Sequence, residues 1–234
     1  MVLTKRLINI LTVHLCTMMK KSDSKPDFQY QNTTPDFQYQ NTKERILRQS
    51  MRLFLEKGYH GTSINDITQA AGLTKGALYW HFRSKEDLLK KFMEEYEEKF
   101  LDRLIDTVGE VQGGALEKFD RYLRFNAAFA YYNRELGVSF TTLAAELVGA
   151  HHEIETEIRR IYKKYQKFLA GLIGQGKKEK IFKKEIDGDL AAHLIIAFHD
   201  GVLLQWSMNR DEIDGQAYMN TFNKIMLKGL MVNG

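Results

Sequence analysis

No proline follows Pro35 in this chain of 234 residues. Proline lacks a backbone N–H, and its ring collides with the preceding turn, so it ends helices more firmly than any other residue. Everything beyond Pro35 is therefore open to long helices, and an all-α fold is expected in preference to a β-sandwich or an α/β sheet. Both prolines, Pro26 and Pro35, sit in a tandem repeat. Pro26-Asp27-Phe28-Gln29-Tyr30-Gln31-Asn32-Thr33 returns as Pro35-Asp36-Phe37-Gln38-Tyr39-Gln40-Asn41-Thr42. Two short polar copies do not make a solenoid. Residues 1–41 read as a disordered or extended tail, or as the product of a start assigned too early, since Met18 and Met19 offer later ones.

The start of the chain imitates a secretory signal, with Lys5-Arg6 ahead of an apolar run from Leu7 to Leu15. Asn9 and His14 interrupt that run and no small-residue cleavage site follows, so the protein is expected to stay in the cytoplasm. No segment is long and apolar enough to span a membrane. Cys16 is the single cysteine, which rules out an internal disulfide. The adjacent His151 and His152 point about 100° apart on a helix and make poor joint ligands. No metal and no cofactor are expected.

From Thr42 onward the apolar residues recur at helical spacing. Ile46, Leu47, Met51, Phe54 and Leu55 form one face, and Gly58 stops the helix. A short helix over 63–71 is capped by Ser63 and stopped by Gly72. Another over 74–80 is capped by Thr74. Ser84 opens a fourth, with Asp87 as its capping-box partner, and this helix runs on to a break at 108–114. Further helices are expected over 115–134, 138–149, 151–175, 188–208 and 213–231. The domains are expected at 42–89 and 90–234, after the tail at 1–41.

Two short helices separated by Gly72-Leu73 make a helix-turn-helix, in which Ile67, Leu73 and Leu78 lock the pair. Thr74, Lys75, Gly76, Tyr79 and Trp80 are left to project from the second helix toward base edges and phosphates. Gly76 and Ala77 let its backbone come close to DNA. Thr62 or Ser63 can cap its helix and offer N–H groups to a phosphate, and Lys85 can add charge from the other side. Between Thr42 and Lys90 nine Lys/Arg face five Asp/Glu, so the excess of +4 in this segment equals that of the whole chain.

The run from Ile46-Leu47 through Leu53-Phe54-Leu55-Glu56-Lys57-Gly58-Tyr59, Thr62-Ser63-Ile64 and Ala71-Gly72-Leu73-Thr74-Lys75-Gly76-Ala77-Leu78-Tyr79-Trp80-His81-Phe82 to Ser84-Lys85-Glu86-Asp87-Leu88-Leu89 resembles the DNA-binding domain of the tetracycline-repressor (TetR) family. Trp80 departs mildly from the pattern, which bears on operator choice. The resemblance implies a dimeric, Ω-shaped, all-α protein. In it a three-helix N-terminal head binds double-stranded operator DNA, and a fourth helix relays effector binding. By position, Thr62, Thr74, Lys75, Gly76, Tyr79, His81 and Lys85 match the family's DNA contacts.

The downstream residues carry no transferable motif, and there the reading rests on composition. Phe125, Phe129, Tyr132, Phe140, Phe168, His199 and Trp206 are the candidates to line a site for a small apolar effector, with Glu146 among the polar groups available to orient it. Aromatics at helical spacing are also what a plain core requires. The last two helices are too apolar to face water, so a four-helix seam between two copies of the chain is expected, with Gly201 and Gly229 allowing close approach. No nucleophile, base or phosphate loop is apparent, so no catalytic residue is assigned and no enzyme is expected. A helical-bundle enzyme and a ligand-storage bundle with a vestigial DNA head are the competing classes.

Overall fold

The structure is a computed structural model that describes residues 42–149, 152–209 and 211–232. The tail expected over residues 1–41, with its repeat, Cys16 and both prolines, lies outside them, as does His151. Among the described residues every element is a helix, joined by turns and short loops, with one isolated bridge between Phe182 and Met231. In chain order the helices are α1 (Thr42–Lys57), α2 (Ile64–Ala71), α3 (Lys75–His81), α4 (Lys85–Tyr96), a π-helical segment (Glu97–Asp102), α5 (Arg103–Gly109), α6 (Ala115–Tyr132), α7 (Arg134–Leu147), α8 (His152–Lys178), α9 (Gly188–Met208) and α10 (Gly215–Leu230).

The largest departures from the expected helix bounds are at the start of α7 and the end of α8. α7 begins at Arg134 rather than 138, because Gly137 is buried within the helix instead of breaking it. α8 continues through Gly174 and Gly176 to Lys178. The buried face of α1 is also turned slightly, to Ile46, Leu47, Ser50, Leu53 and Phe54, leaving Met51 and Leu55 half-buried. Ser50 is tolerated there because its hydroxyl donates to the Ile46 carbonyl at 2.8 Å, so its own polar group is paired.

The chain divides into two compact units. One contains the described residues up to Arg103 and returns with Asn133–Lys164. Its core joins Ile46, Phe54, Ile67, Leu78 and Phe82 to Leu88, Leu89 and Phe92 of α4. The rings of Tyr96 and Phe140 stack at 3.7 Å between centroids, tying α4 to α7. Glu97, at the start of the π-helical segment, accepts from Arg160 and from Lys164 of α8, and Lys164 also pairs with Asp102 at the end of that segment.

The other unit comprises Leu104–Tyr132 and the chain from Tyr165. Phe119, Leu123 and Phe125 of α6, Leu169 and Ile173 of α8, and Ala192 and Ile195 of α9 are buried in it. Phe182 meets Phe119 edge-on at 5.2 Å. The connection after α8 is pinned to the end of α10, with the Lys183 N–H donating to the Leu230 carbonyl and the Val232 N–H to that of Ile181.

Candidate nucleic-acid interface

α2 and α3 are short, so each depends on its ends. Ser63 caps α2 and forms a full capping box with Asp66. The Asp66 side chain also takes the Lys57 ammonium at 2.9 Å, and these partners, Lys57 first, hold its carboxyl well below the usual carboxylate range. Gly72 ends α2 with φ of 63°, a left-handed conformation that costs glycine nothing. Its N–H reaches back to the carbonyls of Thr68 and Gln69, and the Leu73 N–H follows to Thr68. The chain turns at once, and the Thr74 hydroxyl accepts from the Ala77 N–H to start α3. Ile67 and Leu78 are wholly buried between the two helices, while Leu73 is half-buried.

This packing leaves one face of α3 in solvent. Thr74, Lys75, Gly76, Tyr79 and Trp80 are exposed, Trp80 to 85%. A Cβ added at Gly76 would meet only the Thr74 hydroxyl, at 3.9 Å. Internal packing therefore does not require glycine at 76; open access to the backbone from outside is what it supplies. Ala77 and His81 flank the face, half-buried. Phe82, the next residue, is buried beneath the Lys43 ammonium.

Three of the residues nominated from sequence make bonds within the protein, Ser63 as the expected cap of α2. Thr62 is only 1% exposed, and its hydroxyl donates to the carbonyls of Leu53 and Gly58, so its side chain holds the α1–α2 turn and is not presented at the surface. Ser63 is exposed, but its N–H and hydroxyl both bond to Asp66. The Lys85 ammonium donates to the carbonyls of Tyr59 and Thr62 at 2.8 and 2.9 Å and lies 4.2 Å from the centre of the Tyr59 ring. A cation over an aromatic face with two carbonyl partners is a cap on the turn.

Tyr59 is the hub of that turn. Its ring is buried, its hydroxyl donates to Glu86, and burial followed by the Glu86 charge pushes its pKa up. The Glu146 carboxylate, near the end of α7, accepts from the N–H groups of Tyr59 and His60 at 2.9 and 3.1 Å. Sequence had offered Glu146 as a group to orient an effector; instead it is the acceptor for the end of α1. Nothing in a sequence spacing signals this, because the partners are backbone groups far away in the chain.

The aromatic candidates for an effector site separate between the units. Phe140 lies in the unit that holds α1–α4, buried against Tyr96 and Tyr162. Phe125, Phe129, Tyr132, Phe168, His199 and Trp206 lie in the other. Phe125 and Phe129 are buried. The Trp206 ring packs directly on Gly215 at the start of α10, where an added Cβ would fall 2.5 Å from it. His199 bonds through Nδ1 to the hydroxyl of Tyr122, which also meets that of Tyr165. Tyr122, Asn126 and Tyr165 were not foreseen as its partners; an asparagine at a core position of α6 was the available signal.

Residues 46–92 match the model of bacterial regulatory proteins of the tetR family, and residues 92–229 match that of the YsiA-like C-terminal region. The chain is 25% identical over 186 residues to the fatty acid metabolism regulator protein of Bacillus subtilis (strain 168), a match covering 80% of this chain and 94% of that one. The crystal structure of the MbdR regulator from Azoarcus sp. CIB superposes with a TM-score of 0.74 at 26% identity, covering 82% of this chain and all of the other. The FadR regulator of Bacillus subtilis, solved in complex with stearoyl-CoA, has the same fold, with a TM-score of 0.65 at 24% identity and coverage of 80% and 98%. A helix-turn-helix with an exposed face, followed by a helical region that matches as a whole, places this chain in the tetR family of bacterial regulatory proteins, ligand-responsive regulators of transcription that bind DNA.

Proposed function

We propose that the protein is a cytoplasmic, homodimeric repressor that grips a palindromic operator through two copies of α3 and releases it when a small apolar effector binds. On this reading residues 42–89 are the DNA head and 90–234 the effector and dimerisation region. The observation that carries it is the exposed face of α3. There Lys75 brings charge, Thr74 and Tyr79 bring hydroxyls, and Gly76 brings close approach. Phosphate oxygens accept such groups, and a helix of this size fits the major groove. Trp80, Ala77 and His81 complete the surface, and Thr62, Ser63 and Lys85 act by holding its scaffold rigid.

Support for a dimer comes from α9. Leu190, Leu194, Phe198, Gly201, Gln205 and Met208 share one side of the helix, and all are exposed in the single chain. The large apolar members would be covered by a second copy of this helix and α10, giving the four-helix seam. Two heads so joined meet half-sites on the order of 34 Å apart or more, since the groove recurs once per turn. Support for the effector comes from the Bacillus subtilis relative, which is named as a regulator of fatty acid metabolism and, as FadR, was solved with stearoyl-CoA. For an effector to weaken operator binding a hundredfold, it must favour the released form by about 2.7 kcal/mol.

The test is fluorescence anisotropy on the DNA flanking the protein's own gene, over a series of salt concentrations, with wild type and a Lys75→Ala/Tyr79→Ala variant. Selective binding that weakens with salt, and that falls at least tenfold in the variant, is expected. Equal affinity for that DNA and for random duplex would refute the assignment of this operator. Binding that is selective yet unchanged in the variant would refute the assignment of this face.

A further inference from the structure

The second unit contains a buried polar cluster that the DNA-binding machinery does not use. It gathers Tyr122 and Asn126 from α6, Tyr165 from α8 and His199 from α9, with the Asp200 charge acting on Tyr165. Its hydrogens can be placed from the contacts alone. Asn126 Nδ2 donates to the Tyr122 backbone carbonyl at 2.9 Å, and a carbonyl can only accept, so the amide orientation is settled. Asn126 Oδ1 therefore faces the Tyr165 hydroxyl, which donates to it at 3.3 Å. With its one proton spent, the Tyr165 oxygen can only accept from the Tyr122 hydroxyl, 2.9 Å away. The Tyr122 proton is thereby spent too, so its oxygen faces His199 Nδ1, also at 2.9 Å, as an acceptor. Nδ1 must then carry the ring hydrogen, and it also faces the Tyr165 oxygen at 3.4 Å, again as the donor because that hydroxyl's proton is spent. A neutral imidazole has only one, so Nε2 is a bare lone pair.

That nitrogen is buried, and no described residue offers it a hydrogen bond. The ring stays neutral, because burial pulls its pKa down to about 4. Around it stand the rings of Tyr122, at 5.5 Å, and Phe222, at 5.2 Å. A buried acceptor without a donor costs stability, and such exceptions call for an explanation. The directed chain supplies one: three polar side chains fix the tautomer so that a single acceptor is presented amid aromatic surface.

We propose that His199 Nε2 is the polar anchor of the effector, accepting a hydrogen bond from a hydroxyl or N–H of a neutral, otherwise apolar ligand. This deepens the effector part of the reading above and rests on it. The tautomer sets the selectivity. An ether or ester of the same shape has no proton to give, and a carboxylate would set its charge against the lone pair. Sites built to pair with a donor discriminate strongly against analogues that lack it, because the buried partner is then left unpaired.

The full chain is titrated calorimetrically with 1-dodecanol, dodecyl methyl ether and sodium dodecanoate, in wild type and His199→Leu. Dodecanol is expected to bind at least tenfold more tightly than the ether or the carboxylate in wild type, and no more tightly than the ether in the variant. Nitrogen-15 NMR of histidine-labelled wild type gives an independent reading that does not depend on the variant folding. An Nδ1-protonated ring with unprotonated Nε2 is expected for the residue whose signal disappears in His199→Gln. Equal binding of alcohol and ether, preference for dodecanoate, no binding of any of the three, or a proton on Nε2 would each overturn the proposal. Operator binding by the same preparation is measured alongside. If it is intact while the preference is absent, the anchor fails and the regulator stands; the reverse result fails the regulator and keeps the anchor.

Discussion

Gly76 and His199 show how a single side chain carries opposite demands. In a helix interior glycine is poorer than alanine by about 1 kcal/mol, less so in the first turn where Gly76 stands, and the packing offers no reason for it there. Gly76→Ala is therefore expected to leave thermal stability equal or raised, while operator affinity falls. A variant that is less stable, or one that binds as tightly as wild type, would show that the glycine serves another purpose. For His199 the demand is burial. Its pKa drops from an ordinary 6.5 to about 4, so between these values the unfolded chain holds a proton that the folded chain does not. Its contribution to stability is complete above about pH 6.5 and is lost as the pH falls toward 4, by at most about 3 kcal/mol. Urea unfolding at pH 7 and pH 4.5 should show a larger loss for wild type than for His199→Leu, since carboxylates common to both cancel in the comparison.

Among elements, the turn from α1 to α2 is held from three directions. Thr62 binds it from within, Lys85 caps its carbonyls, and Glu146 of α7 takes its N–H groups. Hydrogen bonds to a charged acceptor contribute about 1.5–3 kcal/mol each when both partners are well placed. Part of that is screened here, because Glu146 is only half-buried. Glu146→Ala is expected to destabilise the chain by about 2 kcal/mol in urea unfolding. A loss below about 0.5 kcal/mol would mean that water replaces the carboxylate without penalty. The π-helical segment is held in a similar way, since Glu97 and Asp102 at its two ends answer to Arg160 and Lys164 of α8. Arg160, ahead of the cost of burial, brings the Glu97 carboxyl down to about 2.

At the scale of the whole molecule the proposed dimer rests on the apolar side of α9. Leu194 is 61% exposed and Phe198 57% in the single chain, four residues apart on the same stripe. Burying such side chains is worth roughly 1.5–3 kcal/mol each, and in a symmetric dimer each counts twice. Leu194→Asp/Phe198→Asp is expected to shift sedimentation from dimer to monomer and to weaken operator binding at least tenfold, because both half-sites would no longer be held by one particle. A variant that stays dimeric would place the seam on another surface.

Sequence by itself determined the helices to within a few residues, their caps and the helix-turn-helix. These depend on neighbours within about five residues: Ser63 with Asp66, Thr74 with Ala77, Gly72 in its left-handed turn, and the apolar spacing of α4. Local rules therefore read them correctly, and the head's motif is dense enough to name a family. Only the tertiary structure decided which exposed-looking polar groups were spent inside. Lys85 and Thr62 turn inward to backbone carbonyls, Glu146 grips N–H groups 86 and 87 positions away, and Tyr122, Asn126, Tyr165 and His199 meet across three helices. Backbone donors and acceptors are the same at every residue, so which of them a distant side chain will find is set by the packing of helices and leaves no mark in the spacing of residue types.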